Sequence, residues 1–240
     1  VEILPRKNEL VRPKAANIDL ALMTVSTVRP VPNTYVLDKL ITVCEFKQIE
    51  PVIILTKTDL KTDDTFTDIY QNAGFTVIQT GKGIENREEI LAVMKGKTSI
   101  FIGNTGVGKS TLLNRLFPDL GLRTAAISDK LGRGRHTTRQ VELYPVPGGG
   151  YVADSPGFSS VELEAYEPIR KEELAGCFRE FRPYLDGCQF ADCSHRKEKG
   201  CAVLKAIDDG KISLSRHESY VMLYEEAMQI PDWQREDNRK

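Results

Sequence analysis

The sequence predicts an α/β protein, a doubly wound parallel sheet followed by a small helical module. Three observations predict it. Short, continuously apolar runs alternate with stretches of helical spacing up to about residue 102, the pattern of parallel strands covered on both faces. The stretch Gly103-Asn104-Thr105-Gly106-Val107-Gly108-Lys109-Ser110 matches G-x-x-x-x-G-K-[ST] at every fixed position, and it lies between an apolar run and a helical one, the context that motif requires. Beyond about Glu162 the character changes to helices interrupted by a knot of Cys188, Cys193, His195 and Cys201.

Taken in order, residues 1–16 are basic and proline-punctuated, and are expected to be the remnant of a preceding domain plus a linker. Ile18 to Val25 reads as a strand. Tyr35, Leu37, Leu40, Ile41, Cys44 and Phe46 fall at helical spacing, predicting a helix over 34–49. Residues 51–55 form a second buried strand, a polar helix-like stretch runs to about Ala73, and 75–78 is a third strand. Arg87 to Met94 is a further helix and 98–102 the strand that enters the phosphate loop. Leu120 to Gln140 lacks periodicity and is expected to be a long functional loop. Residues 140–146 and 151–153 form a hairpin turned at Pro147-Gly148-Gly149-Gly150. The domains expected are 17–163 and 164–240.

The bulk numbers exclude several classes. The chain has 240 residues, 40% hydrophobic and 28% charged, with net charge -1, so any nucleic-acid surface is local and not a global field. No run approaches a membrane span. The first residues are not a signal peptide and no Met opens them, so the chain is expected to begin inside a longer protein. Three of the five cysteines fall within 188–201, which points to a metal site in a reducing compartment and not to a disulfide framework.

The phosphate loop predicts the central chemistry. Its glycines let successive N–H groups converge on phosphate oxygens, and the following helix N-terminus adds positive potential. Residues Gly103, Asn104, Thr105, Gly106, Val107, Gly108, Lys109, Ser110 and Thr111 form the expected binding set. Lys109 is expected to reach the β- and γ-phosphates, which also counts it among the catalytic groups, and the Ser110 hydroxyl to hold Mg²⁺. Thr56-Lys57-Thr58-Asp59 ends the strand 51–55, the end at which open α/β sheets bind ligands. An aspartate there accepts from the ring N–H and amino group of guanine, and adenine would leave it unpaired. Asp154-Ser155-Pro156-Gly157 follows strand 151–153. Asp154 is expected to hold Mg²⁺ through water and the Gly157 N–H to touch the γ-phosphate, with a simple turn the plainer alternative. Thr56 precedes Gly103 by 47 positions, the reverse of the usual order in GTPases, so the strands are expected to be circularly permuted.

Phe158 stands where small GTPases place a water-orienting Gln. His136 is the candidate in its place, next to Thr137 and Thr138, one of which is expected to close on Mg²⁺. Three thiolates and one imidazole within 188–201 are the ligand set of a closed, structural Zn²⁺ site. Arg196, Lys197, Lys199, Lys205, Lys211 and Arg216 surround it, and either meet phosphate backbone or form a solvated surface. Cys44 and Cys177 are expected in the core.

Together these segments resemble the circularly permuted, ribosome small-subunit-dependent GTPases, the RsgA, YjeQ or YloQ family. The resemblance is carried by Leu4 to Asn8, Thr56 to Leu60, the phosphate loop, Gly134 to Thr138, Asp154 to Phe158 and Cys188 to Val203. It implies an N-terminal OB-fold domain mostly absent here, then the GTPase, then the zinc domain. It implies hydrolysis of GTP to GDP and phosphate, slow alone and stimulated by the 30S subunit and its 16S rRNA, in late subunit maturation in the cytoplasm, by a monomer with one zinc. It favours Thr138 over Thr137 as the switch residue, and His136 is similar in place to a proposed hydrolysis residue. Two departures stand out. Thr56 replaces an Asn whose amide normally ties the base loop to the phosphate loop, and Gln79-Thr80-Gly81-Lys82 replaces the usual Ser-Ala base contact. The rival from a different class is an RNA-binding module whose nearly inert guanine-nucleotide site serves only as a switch.

Overall fold

The structure is a computed structural model that describes residues 5–10, 15–84, 86–118, 142–154 and 169–230. The expected long loop therefore lies outside the described residues. Contacts divide the chain into two compact units, Val1–Pro32 with Lys47–Asp63 and Thr76–Tyr166, and Asn33–Phe46 with Asp64–Phe75 and Glu167–Lys240.

The first unit is built on a six-stranded sheet. Its strands are β3 (Leu20–Ser26), β4 (Glu50–Thr56), β5 (Thr76–Gln79), β6 (Lys97–Ile102), β7 (Glu142–Pro145) and β8 (Gly150–Asp154), in the order β5-β4-β3-β6-β8-β7. A two-stranded ladder, β1 (Glu9–Leu10) with β2 (Ala15–Ala16), precedes it. Within the six-stranded sheet, among the described residues, β7 runs antiparallel and the other neighbours pair in parallel. The β3 run Leu-Ala-Leu-Met-Thr-Val-Ser is buried almost throughout. On one face Leu20, Leu22, Val52, Ile54 and Phe101 pack against Ile90 and Met94 of α3 (Arg87–Met94) and against Leu112, Leu113 and Leu116 of α4 (Lys109–Leu116). The alternate residues Ala21, Met23, Ile53 and Leu55 are equally buried, which is why the strands show no polar alternation. The hairpin turns where expected. Gly148, Gly149 and Gly150 are all at positive φ, and a Cβ at Gly150 would lie 2.7 Å from the Lys97 nitrogen, so only glycine fits there.

The order of the strands positions the site. The chain steps outward from β3 through β4 to β5, then returns to the other side of β3 as β6. The switch point therefore falls between the C-terminal ends of β3 and β6, where such sheets open a crevice.

The second unit holds α1 (Thr34–Phe46), α2 (Asp64–Asn72), α5 (Lys171–Leu174), α6 (Ala202–Asp208) and α7 (Leu214–Met228), with tight turns over Ala175–Cys177 and Arg179–Gly187. Asn33 caps α1, its side-chain oxygen accepting the Val36 N–H at 3.1 Å. The helix stops short of the expected residue 49 because Gln48 adopts φ 57, a left-handed turn that cannot continue it. Phe178, Phe181 and Tyr220 pack as an aromatic core. Cys44 and Cys177 are buried, as expected.

Arg216 departs from the expected basic surface. It is 1% exposed. Its guanidinium pairs with Asp38 at 2.6 Å and Glu180 at 2.7 Å, and lies over the Phe178 ring. The Tyr70 hydroxyl donates to the same Asp38 oxygen at 2.8 Å. Arg216 thus fastens α7 to α1 and is unavailable to RNA. Helical spacing alone did not reveal that Arg216 of α7 turns inward. Removing it would strand two buried carboxylates. We expect Arg216→Met to destabilise the protein by about 3–5 kcal/mol, read as a lowered urea midpoint. An unchanged midpoint would show that the cluster contributes nothing.

Candidate nucleotide and metal sites

The loop after β6 lies at the switch point. Gly106 and Gly108 take φ 84 and 96, and α4 starts with the Leu112 N–H on the Gly108 carbonyl at 2.9 Å. Lys109, Ser110 and Thr111 form its first turn, while Val107 is buried beneath the loop. A Cβ at Gly103 would lie 2.5 Å from the Thr24 carbonyl oxygen, so the loop leaves β6 pressed against β3. These N–H groups at a helix start can hold an anion such as a phosphate.

Thr56 to Asp59 leave β4 next to this loop. The Thr56 hydroxyl contacts the Val107 carbonyl at 2.5 Å and the Val25 carbonyl at 3.0 Å. Lys57 Nζ donates to the Gly106 carbonyl at 2.8 Å and the Arg29 carbonyl at 2.5 Å. The tie that an asparagine amide normally supplies is therefore present, made by a hydroxyl and an ammonium. Thr58 is buried, and its N–H donates to the Thr80 carbonyl at 3.3 Å. Asp59 is exposed at the mouth. Gly81 approaches it so closely that a Cβ there would lie 2.8 Å from the Asp59 nitrogen and collide with its carboxylate. The sequence marked 79–82 as a departure, and this contact is the physical reason for the glycine. Thr27 and Arg29 also join the site, through backbone and hydroxyl contacts that carry no motif.

Asp154 ends β8, one step beyond the Ile100↔Ala153 pair, so its backbone emerges beside the strand that feeds the phosphate loop. His136, Thr137, Thr138 and Gly157 lie outside the described residues, as do Arg133, Arg135 and Arg139.

The four knot residues converge. The ligand atoms of Cys188, Cys193, His195 and Cys201 all lie within 4.8 Å of one another. His195 Nδ1 is 3.5 Å from both the Cys188 and Cys201 sulfurs, which are 3.9 Å apart. A tetrahedral cation with S and N ligands at usual bond lengths needs edges of about 3.8 Å and about 3.5 Å, so the cluster fits. Burial, reinforced by the neighbouring thiols, pushes Cys193 up to about 12, and a cation centred there reverses that. Burial also lowers His195, which keeps the imidazole neutral as a ligand must be.

Second contacts hold the loop. His217 Nε2 donates to the His195 carbonyl at 2.7 Å and the Tyr220 hydroxyl to the Ser194 carbonyl at 2.9 Å. The Glu198 carboxylate accepts N–H groups from Ser194, Arg196 and Lys197 at 3.1, 3.0 and 3.0 Å. It is held at about 2: burial opposes this, and the Ser194 hydroxyl and the backbone donors outweigh it. Lys197, Lys199, Lys205 and Lys211 are exposed, and Arg196 stacks on Tyr224 at 4.4 Å.

A phosphate-type loop at the switch point of a parallel sheet, tied to a base loop that comes earlier in the chain, defines a circularly permuted nucleotide-binding domain. A family model described as RsgA GTPase matches residues 3–164. The protein named small ribosomal subunit biogenesis GTPase RsgA from Caldanaerobacter subterraneus subsp. tengcongensis is 42% identical over 231 residues, 95% of this chain and 77% of that protein. Its namesake from Bacillus subtilis is 43% identical over 229 residues, 92% of this chain and 76% of that one. YjeQ from Thermotoga maritima superposes with a TM-score of 0.78 at 32% identity, over 96% of this chain and 79% of that chain. YloQ, a circularly permuted GTPase, gives 0.76 at 35%, over 96% and 75%. The chain belongs to the RsgA GTPase family and is a GTP-hydrolysing enzyme of permuted fold. That membership does not favour the binding-only alternative. Among the described residues no helix is long and apolar enough to cross a membrane.

The Gly81 approach makes a direct prediction. Gly81→Ala should displace the Asp59 loop and raise the dissociation constant for GDP by about tenfold, or ~1.4 kcal/mol, with the melting temperature nearly unchanged. Titration calorimetry showing parent affinity would mean the loop yields freely.

Proposed function

We propose that this chain hydrolyses GTP during maturation of the small ribosomal subunit, and that the subunit stimulates it. One observation carries the site assignment: Thr56 and Lys57 are bonded to the carbonyls of Val107 and Gly106, so a guanine-reading loop and a phosphate loop are held as one surface. The names of the relatives support the ribosomal role.

In this reading the backbone of Gly103 to Thr111 and the Lys109 ammonium hold the β- and γ-phosphates. Asp59 reads guanine, and Lys57 lays its stem along the base. Ser110 and Thr138 would hold the Mg²⁺ that accompanies the nucleotide, Asp154 would assist through water, and Gly157 would meet the γ-phosphate. That ion supplies charge neutralisation at the transferring phosphoryl group. His136 positions water, because Phe158 cannot. The metal at Cys188, Cys193, His195 and Cys201 is zinc, one per chain and structural: four protein ligands leave no open position. Residues 17–163 carry the nucleotide site and 164–240 the metal ligands, with α1 and α2 belonging by their contacts to the second unit, which meets 16S rRNA. The protein works in the cytoplasm as a monomer.

GTP turnover with and without purified 30S subunits tests the reading. Slow hydrolysis alone and clear acceleration on the subunit are expected, and His136→Ala should lose most of the acceleration while binding both partners. No acceleration of the parent chain would defeat the ribosomal role. Asp59→Asn should weaken GTP and favour xanthine nucleotides, whose oxygen suits an amide donor. Elemental analysis should find one zinc per chain, lost in Cys193→Ala. Protein purified without chelator and free of zinc would refute the metal assignment.

A further inference from the structure

Thr27 follows β3 at the switch point and belongs to none of the nucleotide motifs. It is 3% exposed. Its hydroxyl donates to the Lys57 carbonyl at 2.9 Å, with the Thr56 carbonyl at 3.4 Å. Its own N–H donates to the Thr56 carbonyl at 3.1 Å. Lys57 meanwhile holds φ 60, a left-handed conformation that a lysine keeps only when its surroundings impose it. The Lys57 carbonyl that Thr27 grips also accepts the Leu60 N–H at 2.9 Å, so it is the pivot of the turn that carries Asp59. Gly81 limits Asp59 from across. Thr27 acts from the strand side, on a peptide of the turn that carries Asp59.

We propose that Thr27 is a positioning residue for base selectivity: by fixing the Lys57 peptide it aims Asp59 at the base edge. It touches neither the nucleotide nor the phosphates. The proposal rests on the reading of Asp59 as the guanine acceptor. A chain that binds guanine loosely can still hold phosphate, so Thr27 sets discrimination more than total affinity.

The test measures dissociation constants of GDP, IDP and ADP on the full chain, the parent beside Thr27→Val and Thr27→Ser. Valine keeps the shape and loses the donor, and serine keeps the donor. Inosine lacks the 2-amino group that Asp59 would accept. The parent should prefer GDP to IDP. Thr27→Val should weaken GDP about three- to tenfold and IDP, which keeps only the ring N–H for Asp59, by less, narrowing the GDP/IDP ratio, and Thr27→Ser should restore it. Thr27→Ala replaces the valine variant if that one does not fold. A valine variant with the parent ratio overturns the proposal, and so does equal weakening of all three nucleotides, which would make Thr27 merely structural. A parent that binds GDP, IDP and ADP alike removes the base reading itself, a result distinguishable from either.

Discussion

The nucleotide site depends on a stitch between two loops that lie far apart in the chain. Thr56 and Lys57, at the end of β4, bond to the carbonyls of Val107 and Gly106 at the end of β6. The base loop and the phosphate loop share no short connection, so their spacing is set by the sheet register and these contacts. β3 lies between the two strands and pairs with both. A shift of one register step would move Thr56 away from the loop it holds. The glycines follow from the same geometry: Gly103 and Gly81 are sites where backbone passes too close for a Cβ.

The unit that carries the Cys188, Cys193, His195 and Cys201 cluster is organised differently. Its apolar core is small, centred on Phe178, Phe181 and Tyr220. Polar contacts supply much of its order. On one helix, α7, Arg216 pairs with Asp38 and Glu180, His217 holds the His195 carbonyl and Tyr220 holds the Ser194 carbonyl. That helix therefore braces both the loop of Ser194 and His195 and a buried ion cluster. Removing a partner from such a cluster costs more than forming it gains, because a buried charge is left unpaired.

The sheet and the ligand set were legible because each left a local pattern. Apolar runs with no polar face marked the strands, fixed spacing marked the phosphate loop, and four soft ligands within 188–201 marked the metal knot. What was not legible depends on three-dimensional neighbours. Arg216 reads like any exposed arginine of a helix, and only its carboxylate partners from distant segments reveal it as buried. Thr27 is an ordinary strand-end threonine, significant only because β4 ends beside it. Thr56 reads as the loss of an amide, yet a shorter hydroxyl reaches the same loop because the two backbones approach closely.

The proposed function requires the loops after β4 and β6 to form one guanine-nucleotide surface. A crystal structure of the GDP complex tests it most directly. The base edge should lie on the Asp59 carboxylate and the β-phosphate should be cradled by the N–H groups of residues 104–110, with the Thr56 and Lys57 contacts unchanged. A base bound away from Asp59, or phosphates held outside that loop, would contradict it.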